Sequence, residues 1–282
     1  MNWKIVGIVV VAIFCLIGIG GGGYGAFEIF QSMTLQESVH QCNSADPDIS
    51  IRGCSTILQA GDAGKDFRLT AYYRRAVAYE RKGDFDRAIQ DDTQVILQNP
   101  KEAMAYNNRG FVYQRKGDLD QAMTDYNQAI KIFPEFALAW FNRGEAYNLK
   151  GDYPHAIENF SQVIKLQPKN AVAWNNRCYY RAIAGQLKDA LADCDQSLQL
   201  KPGVGATLDS RAFTYLKMKK YDLAIADYDA AIAQSTNDAA WLYGRGLARR
   251  AKNDVQGSEA DIHAAQKIDP KIAEQFKKYG VS

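Results

Sequence analysis

Residues 137–170 read ALAWFNRGEAYNLKGDYPHAIENFSQVIKLQPKN, and the same arrangement returns on both sides at a fixed spacing of 34 residues. Blocks begin at Leu69, Ala103, Ala137, Ala171, Gly205 and Ala239 and run without insertion to Ile272. A fixed period over so long a stretch marks a solenoid, in which each unit buries its apolar face against its neighbours instead of inside one globular core. Function is then expected on a repeated surface, not in a single pocket.

Small residues hold the eighth position of each block (Ala76, Gly110, Gly144, Cys178, Ala212, Gly246), and the twentieth holds Ala88, Ala122, Ala156, Ala190, Ala224 and Ser258. Bulky residues return at the eleventh and twenty-fourth, as Tyr79, Tyr113, Tyr147 and Tyr215, then Tyr126, Phe160 and Tyr228. Two helices pack closely at the small positions and are filled between by the large ones. Gly83, Gly117, Gly151 and Gly185 suit a left-handed residue at the end of the first helix, and Asp84, Asp118, Asp152 and Asp254 suit N-caps of the second. Pro100, Pro134, Pro168, Pro202 and Pro270 stop it. Block five has Lys219 and Thr236 in place of the turn glycine and the stop proline, so it is expected to be looser.

These residues resemble the tetratricopeptide repeat family, most plainly Trp140, Arg143, Gly144, Tyr147, Ala156, Phe160 and Pro168. The resemblance spans residues 69–272, as six repeats at 69–102, 103–136, 137–170, 171–204, 205–238 and 239–272. It implies an all-α, right-handed superhelical solenoid of helix-turn-helix repeats, whose concave face, lined by the first helices, binds peptides or partner proteins. Residues 31–68 are expected to form a linker and a shortened capping hairpin, because Ser50, Cys54 and Ile57 imitate the twentieth, twenty-fourth and twenty-seventh positions. Residues 273–282 are expected to form a C-terminal capping helix.

The apolar and glycine-rich stretch from Ile5 to Phe27 is long enough to cross a bilayer at about 1.5 Å per helical residue. Lys4 precedes it, and no basic residue follows until Arg52, which favours export of the repeats. Residues 1–30 therefore read as a transmembrane signal-anchor or as a signal peptide cleaved among the small residues Gly20 to Gly25. The length of the stretch favours the anchor. Gly18, Gly20 and Gly23 match a dinucleotide-binding fingerprint in letters only, since no short strand precedes them and no βαβ unit follows.

Cys178 and Cys194 replace the small and the large residue that face each other within block four. Two buried apolar cysteines would suffice there, but the double replacement in one block favours a disulfide. Cys42 and Cys54 stand four residues closer, about one helical turn, which keeps the same helix-to-helix placement. Of the three connectivities open to four cysteines, Cys42–Cys54 with Cys178–Cys194 is expected, and it calls for an oxidising compartment. Cell-envelope tetratricopeptide proteins of Gram-negative bacteria look similar over both pairs and over Lys271 to Gly280. That resemblance implies a periplasmic protein, anchored in the inner membrane or released if the leader is cleaved.

Arg75, Arg109, Arg143, Arg177, Arg211 and Arg245 fill the seventh position, and the twenty-third reads Asp91, Asp125, Asn159, Asp193, Asp227 and Asp261. Bidentate pairing between the helices explains both columns as scaffold. The sixth position differs, with Asn108, Asn142 and Asn176 between Arg74 and Ser210. An amide offers both a donor and an acceptor, so the column could hold the backbone of an extended peptide, or merely bond local backbone and water. Asn107, Asn175, Phe111, Phe141, Glu145 and Tyr179 occupy neighbouring groove phases. The carboxylate clamp of chaperone-binding members of the family needs a lysine and an asparagine four residues apart on one first helix, and no such pair stands at Tyr73/Val77, Asn107/Phe111, Phe141/Glu145 or Asn175/Tyr179.

A net charge of +2 without a basic run speaks against nucleic acid. His40, His155 and His263 fall on separate helices, and no spacing matches a metal set, a phosphate loop or a nucleophile elbow. The expectation is a non-enzymatic scaffold with no cofactor, metal or small-molecule substrate, binding a protein or peptide. The rival expectation is a structural assembly or oligomerisation factor that uses convex faces or solenoid ends.

Overall fold

A computed structural model describes residues 35–60 and 63–281, so the expected membrane or signal segment lies outside the described residues. Among the described residues no helix is long and apolar enough to cross a membrane. The chain is all-α, with fifteen helices and no strand among those residues. It divides into two compact units, one ending at Lys116 and the other starting at Gly117.

The first unit holds α1 (35–42), α2 (Pro47–Gln59), α3 (Lys65–Arg81), α4 (Phe85–Gln98) and α5 (Ala103–Lys116). Asp46 starts α2 by accepting from the amides of Asp48 and Ile49, at 2.8 and 3.1 Å. Ser50 on α2 donates to the Cys42 carbonyl at 2.9 Å, and Cys42, Cys54, Ile57 and Ala71 form a small buried cluster. The hairpin α1–α2 thereby covers the open side of α3. Cys42 and Cys54 stand at bonding distance, with their Cα atoms 4.6 Å apart.

The second unit holds α6 (Leu119–Ile132), α7 (Ala137–Leu149), α8 (Tyr153–Leu166), α9 (Ala171–Ile183) and α10 (Leu187–Leu200), then α11 (Gly205–Lys217), α12 (Tyr221–Ile232), α13 (Ala239–Ala251), α14 (Val255–Ile268) and α15 (Ile272–Lys278). Helices pair as α7–α8, α9–α10, α11–α12 and α13–α14, and each second helix packs on the next first helix. A Cβ placed on Gly144 would lie 2.9 Å from the Phe160 ring, so only glycine fits where this aromatic fills the hairpin. In block four the same two sites hold Cys178 and Cys194, fully buried, with their Cα atoms 5.4 Å apart and their sulfurs at bonding distance.

The turn inside blocks one and three to six is a left-handed C′ residue closed by a bond that runs five residues back along the chain. The Asp152 amide, for example, donates to the Tyr147 carbonyl at 2.9 Å, and Lys220 to Tyr215 at 2.9 Å. Gly151 and Gly185 adopt φ of 74° and 82°, while Lys219 and Asn253 reach 59° and 65° at the same phase. The geometry of block five is thus kept without glycine, at the cost of a Cβ in the left-handed region. Its second helix has 12 residues against 14 in α8, so the missing stop proline does not let it run on. Lys219→Gly is expected to stabilise the chain by about 1 kcal/mol and Gly185→Ala to destabilise it by a similar amount. Urea unfolding midpoints check both; a lower midpoint for Lys219→Gly would show that the turn carries no strain.

Candidate functional site

The arginine column is built into the scaffold. Arg75 bonds Asp91 bidentately at 2.7 and 2.8 Å, Arg177 bonds Asp193 at 2.7 Å twice, and Arg211 and Arg245 do the same with Asp227 and Asp261. Arg143 bonds Asn159 at 2.9 Å. Each guanidinium also reaches the second helix of the preceding hairpin: Ser55 from Arg75, Thr93 from Arg109, Asn127 from Arg143, Ser161 from Arg177, Asp195 from Arg211 and Asp229 from Arg245. The column therefore staples neighbouring hairpins as well as the two helices of one hairpin. Trp140 and Trp174 lie under Arg143 and Arg177 and donate to the carbonyls of Pro134 and Pro168, at 2.8 and 2.9 Å.

The first helices carry the remaining candidates. In the first unit, Asn108 on α5 is half-buried and Phe111 is exposed. Asn107 is buried, with its amide donating to Asn108 Oδ1 at 3.4 Å, so it belongs to the packing and not to an open surface. Arg74 on α3 is exposed and borders a cavity of about 260 Å³ lined by Val39, Ile57, Phe67 and Ala71.

In the second unit, Phe141 on α7 meets Phe160 in a T-shaped contact with ring centroids 5.2 Å apart, and Asn142 beside it is half-buried. Asn176 on α9 donates to Glu145 Oε1 at 2.8 Å, and the Tyr180 hydroxyl donates to the same carboxylate at 3.1 Å. Burial raises the Glu145 carboxyl above its ordinary value, opposed by these two bonds. One donor of the Asn176 amide is thus committed within the chain, whereas the Asn175 Oδ1 atom is buried with no donor in reach among the described residues. Tyr179, expected at an open groove phase, is instead packed among Tyr180, Phe213 and Tyr279, with ring centroids 5.7, 5.9 and 6.1 Å away. The C-terminal segment covers it.

One column escapes a reading based on polar residues. Met104, Leu138 and Val172 hold the second position of blocks two to four, one helical turn before the asparagines, and are 45%, 51% and 56% exposed. Their period was available in the sequence, but apolar residues on a helix are ordinarily read as core. His155 stacks on Tyr147 at 4.9 Å and bonds Asp152, which gives it a structural place.

Sequence models of the tetratricopeptide repeat match residues 69–102, 103–136, 137–170 and 211–271, more than half of the chain. The chain belongs to the tetratricopeptide repeat family. Among solved structures it is similar to a tetratricopeptide repeat protein of Parabacteroides merdae, with 19% identity, a TM-score of 0.68, and 88% of this chain and 98% of that one covered. It is also similar to PilW, described as a type IV pilus biogenesis factor, with 19% identity, a TM-score of 0.65, and 76% and 100% covered. YrrB, described as having an unusual peptide-binding site, shows 20% identity, a TM-score of 0.52, and 66% and 97% covered. Such likeness concerns the fold. No curated protein matches the sequence.

Proposed function

We propose that this tetratricopeptide protein is a non-enzymatic scaffold whose first-helix face holds an extended segment of a partner protein. The observation that carries the reading is the pairing, on one helix face, of an exposed aliphatic with a half-buried asparagine one turn later: Leu138 with Asn142 and Val172 with Asn176. Neither column is needed to close the hairpins, which the arginine staples and the small eighth positions already do. Alternate side chains of a strand-like peptide would rest on the aliphatics while the amides bond its backbone, a mode indifferent to the peptide's sequence. Asn108 stands at the same phase in the first unit.

Replacing Asn142 and Asn176 together with alanine removes up to two hydrogen bonds to the bound peptide, at about 1 kcal/mol each. Recovery of the crosslinked partner is expected to fall tenfold or more, with the thermal midpoint shifted by only a few degrees. Undiminished recovery from the folded variant would remove the amide column from the account.

The exported placement rests on the apolar leader and the paired cysteines. Each pair closes a short loop, worth about 3 kcal/mol in the loop-entropy model. Thiol titration of the protein unfolded without reductant, taken from its native compartment, is expected to find at most the Cys15 thiol. Five free thiols would place the repeats in a reducing compartment.

A further inference from the structure

The last helix does not simply close the end of the repeats. From Ile272, which is 1% exposed, α15 turns back over the first helices of blocks four to six. Phe276 packs on Tyr243 of α13 and Phe213 of α11, with ring centroids 4.9 and 5.8 Å away. Tyr279 meets Phe213, Tyr179 of α9 and Tyr153 at the start of α8, at 6.2, 6.1 and 6.4 Å. The segment thus reaches back three blocks along the face on which a partner peptide would lie. Lys217, at the end of α11, donates to the Ile183 carbonyl at 3.1 Å and to the Tyr279 carbonyl at 2.9 Å, tying the backbone of the segment to the repeats.

This contact has the composition of a ligand in its site. The helix is 7 residues long, too short to persist alone, so the cradle orders it. Ile272, Phe276 and Tyr279 face inward while Glu274, Lys277 and Lys278 face solvent, the pattern of an amphipathic helix read by a groove. Beneath it the repeats offer Tyr179 and Phe213, which hold the ninth position of the first helices of blocks four and five, and the ring of Tyr153 at the start of α8.

We infer that the first-helix face of blocks four to six is a second peptide site, filled in cis by Ile272–Val281, and that it receives a short amphipathic helix of a partner carrying two aromatic residues three positions apart. The inference rests on the reading of the first-helix face as a binding surface. The resident segment sets the threshold: a partner helix enters by displacing Phe276 and Tyr279 and by presenting a backbone carbonyl to Lys217. Occupancy in cis shields the aromatics until such a partner is present.

The test uses the full chain and, as probe, a fluorescent synthetic peptide of residues 270–282. Phe276→Ala/Tyr279→Ala empties the cradle, and this variant is expected to bind the peptide at least tenfold more tightly than the unsubstituted chain. Adding Phe213→Ala is expected to abolish that gain. Equal binding by the two chains, with the helical signal of the variant retained, overturns the inference. Should the double variant lose its helical signal, Tyr279→Ala alone decides, since Ile272 and Phe276 then stay in place: a gain of threefold or more supports a displaceable segment, and no gain makes the segment a permanent part of the core. Crosslinking at Leu138 reports on the amide-lined site separately, so failure here leaves the general reading testable.

Discussion

Asp193→Ala is expected to cost about 3–5 kcal/mol of stability, because it leaves two guanidinium groups without their buried partner. Asp193 is almost fully buried and bonds Arg177 twice and Arg181 once, all at 2.7 Å. Asp195, two residues on, bonds Arg211 at 2.9 Å from a side chain that is 53% exposed, and its removal is expected to cost less than about 1 kcal/mol. The contrast separates a desolvated network from a screened one. Urea unfolding of the oxidised protein measures both, with Asp193→Ala/Arg177→Met expected to be less damaging than the sum of its parts. Equal costs for Asp193→Ala and Asp195→Ala would show that burial does not set the worth of these pairs. Because a solenoid couples only to its neighbours, the loss should appear first as local opening around blocks four and five.

Phe160→Ala is expected to cost about 3–5 kcal/mol for a different reason, an unfilled cavity. The ring is fully buried, lies where a Gly144 side chain would be, and contacts Phe141 and Tyr180 at 5.2 and 5.5 Å. Phe160→Leu keeps most of the volume and is expected to cost less than half as much. Gly144→Ala/Phe160→Leu should recover part of the loss, since the shorter side chain makes room for the added methyl. Thermal unfolding followed by circular dichroism reads the series; a Phe160→Ala midpoint within a few degrees of the parent would mean that the hairpin collapses around the gap.

The hairpins and their phase were legible in the sequence because each follows from a local demand repeated six times: a small residue opposite a large one, a left-handed turn, a cap. The Arg–Asp columns were legible for the same reason. Their second contact, to Ser55, Thr93, Asn127, Ser161, Asp195 and Asp229, was hidden by chemistry that changes from block to block while the bond is kept. The Asn176–Glu145–Tyr180 group was illegible because it joins neighbouring blocks through Glu145 and Tyr180, each of which occurs once at its phase. The return of Phe276 and Tyr279 onto blocks four to six lay beyond the point where the period ends, and only packing decides it. Lys219 shows the reverse case, in which a departure from the pattern left the turn geometry intact.

The central claim is that partners bind the first-helix face. A photo-crosslinking amino acid placed in turn at Leu138 and Val172 on first helices, and at Leu223 and Ile268 on second helices, tests it in cells, since all four side chains are exposed. The account predicts adducts with a partner from Leu138 and Val172 that vanish when Asn142 and Asn176 are replaced by alanine. Adducts formed only from Leu223 and Ile268 would contradict it and assign the protein to assembly through its outer helices.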